Sequence, residues 1–270
     1  MVGVSYIADV KASYSLHTMF DPATMTTSVE LDKHQHPVVL GDRTVGVFGV
    51  DTGIELLSNE LISITPYVDL NKIGRLAHGF GLHLGVLWQL HVPLVIDRLV
   101  IDARTEYRRV SGDYIGPYFD TSYEIERYQV LQGVSFTPKL ASAIANSTPS
   151  KNGVFFDVTA GLPSFVYVGG QFIDYDGGQN DGSLRLSLEI PALEIFTLSA
   201  FYYRVGIGGG KDLFRIDNRS AIVAQASIPL YYVFSLQLRF IRTWQTDPEH
   251  NGEYKAVDDV SAGVGFNLTF

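Results

Sequence analysis

Apolar and polar residues alternate with a period of two along most of the chain, which predicts strands with one apolar and one polar face. In the last segment Val260, Ala262, Val264, Phe266, Leu268 and Phe270 fall on one face, opposite Ser261, Gly263, Gly265, Asn267 and Thr269. Before it, Tyr232, Phe234, Leu236, Leu238 and Phe240 oppose Ser235, Gln237 and Arg239. Phe80, Leu82, Leu84, Val86, Trp88 and Leu90 alternate with Gly81, His83, Gly85, Gln89 and His91. Leu184, Leu186, Leu188 and Ile190 alternate with Arg185, Ser187 and Glu189, and Ile222, Ala224, Ala226 and Ile228 face away from Gln225 and Ser227. Strands are predicted at about 2–14, 43–57, 61–71, 77–91, 94–109, 120–136, 139–147, 153–161, 164–175, 183–190, 194–206, 217–228, 231–244 and 254–270. That makes about fourteen, with twelve as the alternative. Keeping 139–147 makes the number even and puts the Leu162-Pro163 turn on the same side as the other tight turns.

Two architectures present such faces, a soluble sandwich and a membrane barrel. In a sandwich the polar face meets water and the apolar face meets a second sheet. Here the polar face is filled by Gly, Ser, Thr, Gln and charges of both signs, as in a barrel lumen, rather than by Lys and Glu. Aromatic residues lie near the ends of the apolar faces, where a barrel meets the two lipid–water interfaces. Tight connections at Val92-Pro93, Leu162-Pro163, Ile190-Pro191 and Ile228-Pro229 alternate with longer polar ones at 111–120, 176–182, 208–217 and 246–252. Proline lacks the donor a ladder needs, so it belongs at strand ends. These features predict an all-β fold: a transmembrane antiparallel up-and-down β-barrel, one domain over residues 1–270, with short periplasmic turns and long outer loops.

Composition narrows the function classes. Only 18% of the 270 residues are charged against 46% hydrophobic, yet no window reaches the roughly 18 apolar residues of a membrane helix, so membrane crossing is left to strands. The absence of cysteine excludes disulfides and thiolate metal or redox sites. A net charge of -9 argues against a nucleic-acid partner. The first residues have no basic and apolar leader pattern, so no signal peptide is expected in this chain. The first strand is expected to begin almost at residue 2, so no N-terminal plug of the kind that long-chain fatty-acid transporters carry is expected.

The run Gly265-Phe266-Asn267-Leu268-Thr269-Phe270 is similar to the C-terminal signal by which the barrel assembly machinery reads its clients: a Gly, alternating hydrophobic residues and a terminal aromatic. Gly263 departs from that pattern, which usually has a polar residue there. The chain resembles a bacterial outer-membrane β-barrel protein over nearly its whole length. The resemblance implies a place in the bacterial outer membrane, outer-membrane lipid and the assembly machinery as partners, and no cofactor.

Fourteen strands about 4.8 Å apart and tilted about 40° give a backbone diameter of roughly 28 Å, narrowed by side chains to about 10–15 Å. The residues expected to point inward are Asp9, Lys11, Asp51, Glu55, Asp69, His83, Arg98, Asp102, Arg104, Glu106, Arg108, Asp157, Arg185, Glu189 and Arg239. Arg98, Arg104 and Arg108 share one strand face with Asp102 and Glu106, stacking charges of both signs along one wall. Opposed charged walls set up a transverse field that selects polar solutes. The expected function is therefore passive diffusion of small polar solutes through a charged lumen. The alternatives are a salt-bridged closed barrel, a structural barrel that docks a partner protein through its loops or outer wall, and a lipid-modifying barrel enzyme. Arginine placed on the apolar face at Leu84, Leu236 or Ile222 is expected to cost stability, and on the polar face at Gly85, Gln237 or Val223 to cost little.

Other chemistry is thinly represented. The long connection from Ser15 to Asp42 carries His17, His34 and His36, and His34-Gln35-His36 offers two imidazoles without an evident third ligand, so no metal site is expected. His78 and His83 have no Ser two residues later, unlike the outer-membrane phospholipases. Asp258-Asp259 is a lone acidic pair that reads as a solvated rim rather than the Asp pair of an omptin protease. Gly206-Ile207-Gly208-Gly209-Gly210-Lys211 mimics a phosphate loop but lacks the following Ser or Thr. Tyr114-Ile115-Gly116-Pro117-Tyr118-Phe119 suits an aromatic girdle or a partner-binding loop. No catalytic constellation is expected.

Overall fold

The computed structural model describes residues 2–9, 12, 15–33, 37–41, 44–74, 79–95, 97–112, 114, 128–131, 135–138, 148–176, 181–191, 196–231, 234–247, 250 and 253–266. Its strands are β1 (Val2–Asp9), β2 (Thr18–Asp21), β3 (Thr26–Val29), β4 (Val45–Gly53), β5 (Leu57–Ser58), β6 (Ile62–Gly74), β7 (Phe80–Pro93), β8 (Arg98–Gly112), β9 (Tyr128–Leu131) and β10 (Ser135–Pro138). They continue as β11 (Thr148–Leu162), β12 (Val166–Tyr175), β13 (Gly182–Ile190), β14 (Thr197–Ile207), β15 (Ser220–Tyr231), β16 (Phe234–Thr246) and β17 (Tyr254–Phe266). Among the described residues there is no α-helix, only a 3-10 turn at Gly210–Asp212.

Thirteen strands form one antiparallel up-and-down sheet in the order β1-β4-β6-β7-β8-β11-β12-β13-β14-β15-β16-β17, with the short β5 on β6 outside this path. Among the described residues the path therefore holds twelve strands, the alternative to the fourteen expected from the alternation. The two surplus strands both come from the stretch between β8 and β11. The strand expected at 139–147 lies outside the described residues. The one expected at 120–136 is described only in part, where β9 and β10 pair with each other as a separate hairpin. Among the described residues β11 follows β8 in the sheet, which leaves an even number of strands on the path. The Ser15–Asp42 connection is itself built of β structure, with β2 paired to β3 and bridges Leu16–Val39 and Leu31–Pro37.

Connections between path strands follow the expected punctuation. Short ones occupy 94–97, 163–165 and 232–233, and longer ones 113–147, 208–219 and 247–253. Pro229 lies inside β15 rather than in a turn, and the β15–β16 register slips between Pro229 and Tyr231, where the missing N–H interrupts the ladder.

Contacts divide the chain into two compact units, one of residues 1–53, 68–84 and 108–152, the other of residues 54–67, 85–107 and 153–270. In the second unit, register carries both faces from strand to strand. Phe156, Phe172, Leu184 and Arg204 are successive partners on one face; Asp157, Gln171, Arg185, Tyr203 and Ala221 are successive partners on the other. Burial runs opposite to that of a soluble sheet. Val154, Phe156, Val158, Val168, Leu186 and Leu188, all on the apolar face, are exposed, whereas Phe155, Ile173, Ala221 and Val223, on the polar face, are buried. In the first unit Val4, Tyr6 and Phe48 are likewise exposed, while Val45 and Ile73 are fully buried. Val2 and Val4 in β1 and Val260 and Val264 in β17, the two ends of the path, are the most exposed of these, and no pairing of β1 with β17 occurs among the described residues.

Candidate functional site

On the polar face of the second unit, β7, β8 and β11 bring together Leu87, Gln89, Asp102, Arg104, Asp157 and Thr159 around a cavity of about 230 Å³. Alternation puts Gln89, Asp102, Arg104 and Asp157 on one side of the sheet, and adjacency of the three strands makes them neighbours. Arg104 is the hub. Its Nη2 donates to Asp157 Oδ2 at 3.2 Å, its Nε lies 3.6 Å from Glu106 Oε1, and its guanidinium sits 4.6 Å from the Phe155 ring centre. Gln89 Nε2 donates to Asp102 Oδ1 at 3.1 Å, and Tyr67 Oη donates to Glu106 Oε1. Glu106 is buried, while Arg104 and Asp157 keep about a third of their side chains exposed, so Arg104 and Asp157 face the cavity and Glu106 backs them. The cluster sets the Arg104 guanidinium among the carboxylates of Asp102, Glu106 and Asp157. The arrangement can orient a polar or cationic solute through paired donors and acceptors.

Gly85 makes this wall possible. A Cβ there would lie 2.4 Å from the Tyr67 ring, so the glycine gives the ring room to cross β7 and reach Glu106. This corrects the expectation that Gly85 is an open position tolerant of a large side chain. Val223 is corrected with it, being only 4% exposed. Gln237 is exposed as expected.

The other residues expected on the polar face distribute as follows. Asp51 and Glu55 are exposed, as are Arg98, Glu189 and Arg239. Arg185 stacks on Phe201 at 4.6 Å, opposite Gln171 and Tyr203. In the first unit Arg108 is buried, and His83 is buried with its Nδ1 3.1 Å from Asp69 Oδ2 and its ring centre 6.2 Å from that of Tyr114, edge to face. Asp69 also accepts from Asn71 Nδ2 at 2.5 Å. The His83 Nε2 has no hydrogen-bond partner among the described residues. His34, His36, Leu268 and Phe270 lie outside the described residues; Gly265 and Phe266 end β17. Among the described residues no group of acidic and histidine side chains could hold a metal.

A second cluster was invisible in the pattern. Arg204 is 2% exposed although it sits on the apolar face, partnered by Leu184 and Ser220. Its Nη1 and Nη2 donate to the Asp217 carboxylate at 2.9 and 3.0 Å, and Nη1 also reaches Ser220 Oγ and the Arg215 carbonyl. Burial pushes the Asp217 carboxyl up, but hydrogen bonds from Arg204 and the Arg219 N–H outweigh it and hold the group below its ordinary value. Asp258 is exposed, as a solvated residue would be, and makes two 2.7 Å bonds with Arg242, its direct partner in register on the apolar face. Comparison with protein-family models, with curated proteins and with solved structures finds no match for this chain.

Proposed function

We propose that this protein is a bacterial outer-membrane channel that lets small polar solutes diffuse through a charged lumen. The observation that carries the reading is the inverted burial along β11 to β13: exposed apolar side chains on one face, and on the other the buried Phe155 and Ile173 beside a polar cavity at Arg104. A soluble protein rarely exposes so continuous an apolar surface, whereas lipid covers it at no cost. In this reading β1 closes on β17, which would pair the two exposed ends of the path and leave no free edge. Twelve strands tilted about 40° then give a backbone diameter of about 24 Å, roughly 4 Å less than fourteen. The similarity of residues 265–270 to the assembly signal supports delivery by the barrel assembly machinery.

The test is single-channel recording of purified protein in planar bilayers. Stepwise conductance that shifts in ion selectivity when Arg104 is replaced is the expected result. Silent bilayers from correctly folded protein would defeat the channel reading and leave a structural barrel.

A further inference from the structure

We propose that the loop of residues 208–219 is a lipid-docking element, with Phe214 and Ile216 entering the acyl boundary and Lys211 and Arg215 binding the phosphate of an anionic lipid headgroup. The inference rests on the membrane-barrel reading and adds a ligand to its outer surface.

The loop turns away from the polar face. Tyr202 and Arg204 belong to the apolar face, since they pair with Leu186, Ile222, Leu184 and Ser220. Both reach up into the loop: Tyr202 Oη lies 3.5 Å from the Leu213 carbonyl and 3.4 Å from the Arg215 carbonyl, and Arg204 takes the Arg215 carbonyl and Asp217. Ser220 Oγ donates to the same Arg215 carbonyl at 2.9 Å. A guanidinium on a lipid-facing wall is costly unless it is covered and paired. Here the loop covers it, and in return Arg204 fixes the loop against the apolar face.

What the loop then presents is amphipathic. Phe214 is 70% and Ile216 55% exposed, and they flank Arg215, itself exposed, in one short stretch. Lys211 and Arg219 are exposed as well. The two carboxylates of the loop are already engaged, Asp212 by the Gly208 N–H at 3.2 Å and Asp217 by Arg204 and, at 3.5 Å, by the Nε of Arg215, whose side chain stays 61% exposed. The loop with Arg204 therefore keeps a positive excess in a chain whose net charge is -9. Apolar side chains beside cations are the composition that sits at a headgroup boundary. The depth fits too. On the same face, the Arg242–Asp258 pair stands in one row with Leu186, Tyr202 and Ile222, and Arg204 lies one step beyond Tyr202 along β14, so charged pairs enter the apolar wall at this level.

The chain lacks cysteine, so single spin labels can be placed without background. Phe214→Cys and, as a reference on the apolar wall, Leu84→Cys would be labelled and reconstituted into phosphatidylcholine or phosphatidylglycerol-rich vesicles. Collision with dissolved oxygen and with a water-soluble nickel chelate reports depth. The expected result is a label at 214 that favours oxygen, and that becomes more immobile in the phosphatidylglycerol-rich vesicles. Lys211→Gln with Arg215→Gln is expected to erase that lipid dependence, since each cation near an anionic surface is worth about fivefold in binding. A label at 214 open to nickel in both lipids, while the label at 84 is shielded, overturns the proposal alone. A label at 84 open to nickel overturns the barrel reading itself. If inorganic phosphate added to phosphatidylcholine vesicles reproduces the immobilisation, the site serves a free anion and the lipid proposal falls.

Discussion

Arg204 shows how a single charged residue can belong to a face built otherwise from Phe156, Phe172, Leu184 and Ile222. Its partner Asp217 is nearly as buried, so breaking the pair strands a charge. Arg204→Ala is expected to destabilise the fold by about 3–5 kcal/mol, read from denaturant unfolding in detergent. The pH dependence has a definite sign. The folded Asp217 carboxyl titrates below its ordinary value of 3.8, so the stability it contributes is complete above that value and is lost as pH falls through the lower folded one. Asp217→Asn should flatten the acid limb of the unfolding curve. At the cavity, Arg104→Gln removes the positive charge that meets Asp157 and Glu106; reversal-potential measurements should show selectivity moving toward cations. The carboxylates and arginines of the polar face were legible one by one from alternation. Their pairings were not, because Arg104 to Asp157 and Tyr67 to Glu106 join residues far apart in sequence. Arg204 was passed over because its parity assigns it to the apolar face, and only a loop folding back explains it.

At the level of elements, β7 and β11 to β17 were readable because each sustains the period of two over a long run, and a one-residue slip would move every side chain to the wrong face. The single strand expected at 120–136 is instead a hairpin where it is described, because short alternating runs carry no information about partners, and β9 and β10 spend their pairing on each other. The faces make a sharp prediction: Leu84→Arg or Leu236→Arg should cost about 2–4 kcal/mol in a bilayer, and Gln237→Arg much less. Equal costs would mean that the apolar face does not meet lipid. The short turns also have their own fastening. Asp97 accepts from the Arg98 N–H at 2.8 Å and from the Ser164 N–H at 3.2 Å, tying the β7–β8 turn to the β11–β12 turn. Those two bonds hold its carboxyl below the ordinary value. Asp97→Ala should speed amide hydrogen exchange at Ser164, with no change at the Arg204 end of the sheet.

For the whole molecule, closure is the property on which the channel reading depends, and the cysteine-free chain allows a direct test. Ser5 faces the same side as Gly49, and Ser261, Gly263 and Gly265 face the same side as Arg239, Gln237 and Ser235. Pairing Ser5→Cys with a cysteine at one of those β17 positions should give one register that forms a disulfide, because the bond needs Cα atoms about 4.4–6.8 Å apart. No crosslink in any register would mean an open sheet. The strand order has a kinetic consequence as well. From β11 to β17 every strand pairs with its sequence neighbour, so the ladder can grow hairpin by hairpin, each step closing a short loop. Joining β8 to β11 must instead close across residues 113–147, the one long excursion in that half of the path. Refolding into micelles should therefore be biphasic, and halving that connection should quicken only the slow phase, by about threefold.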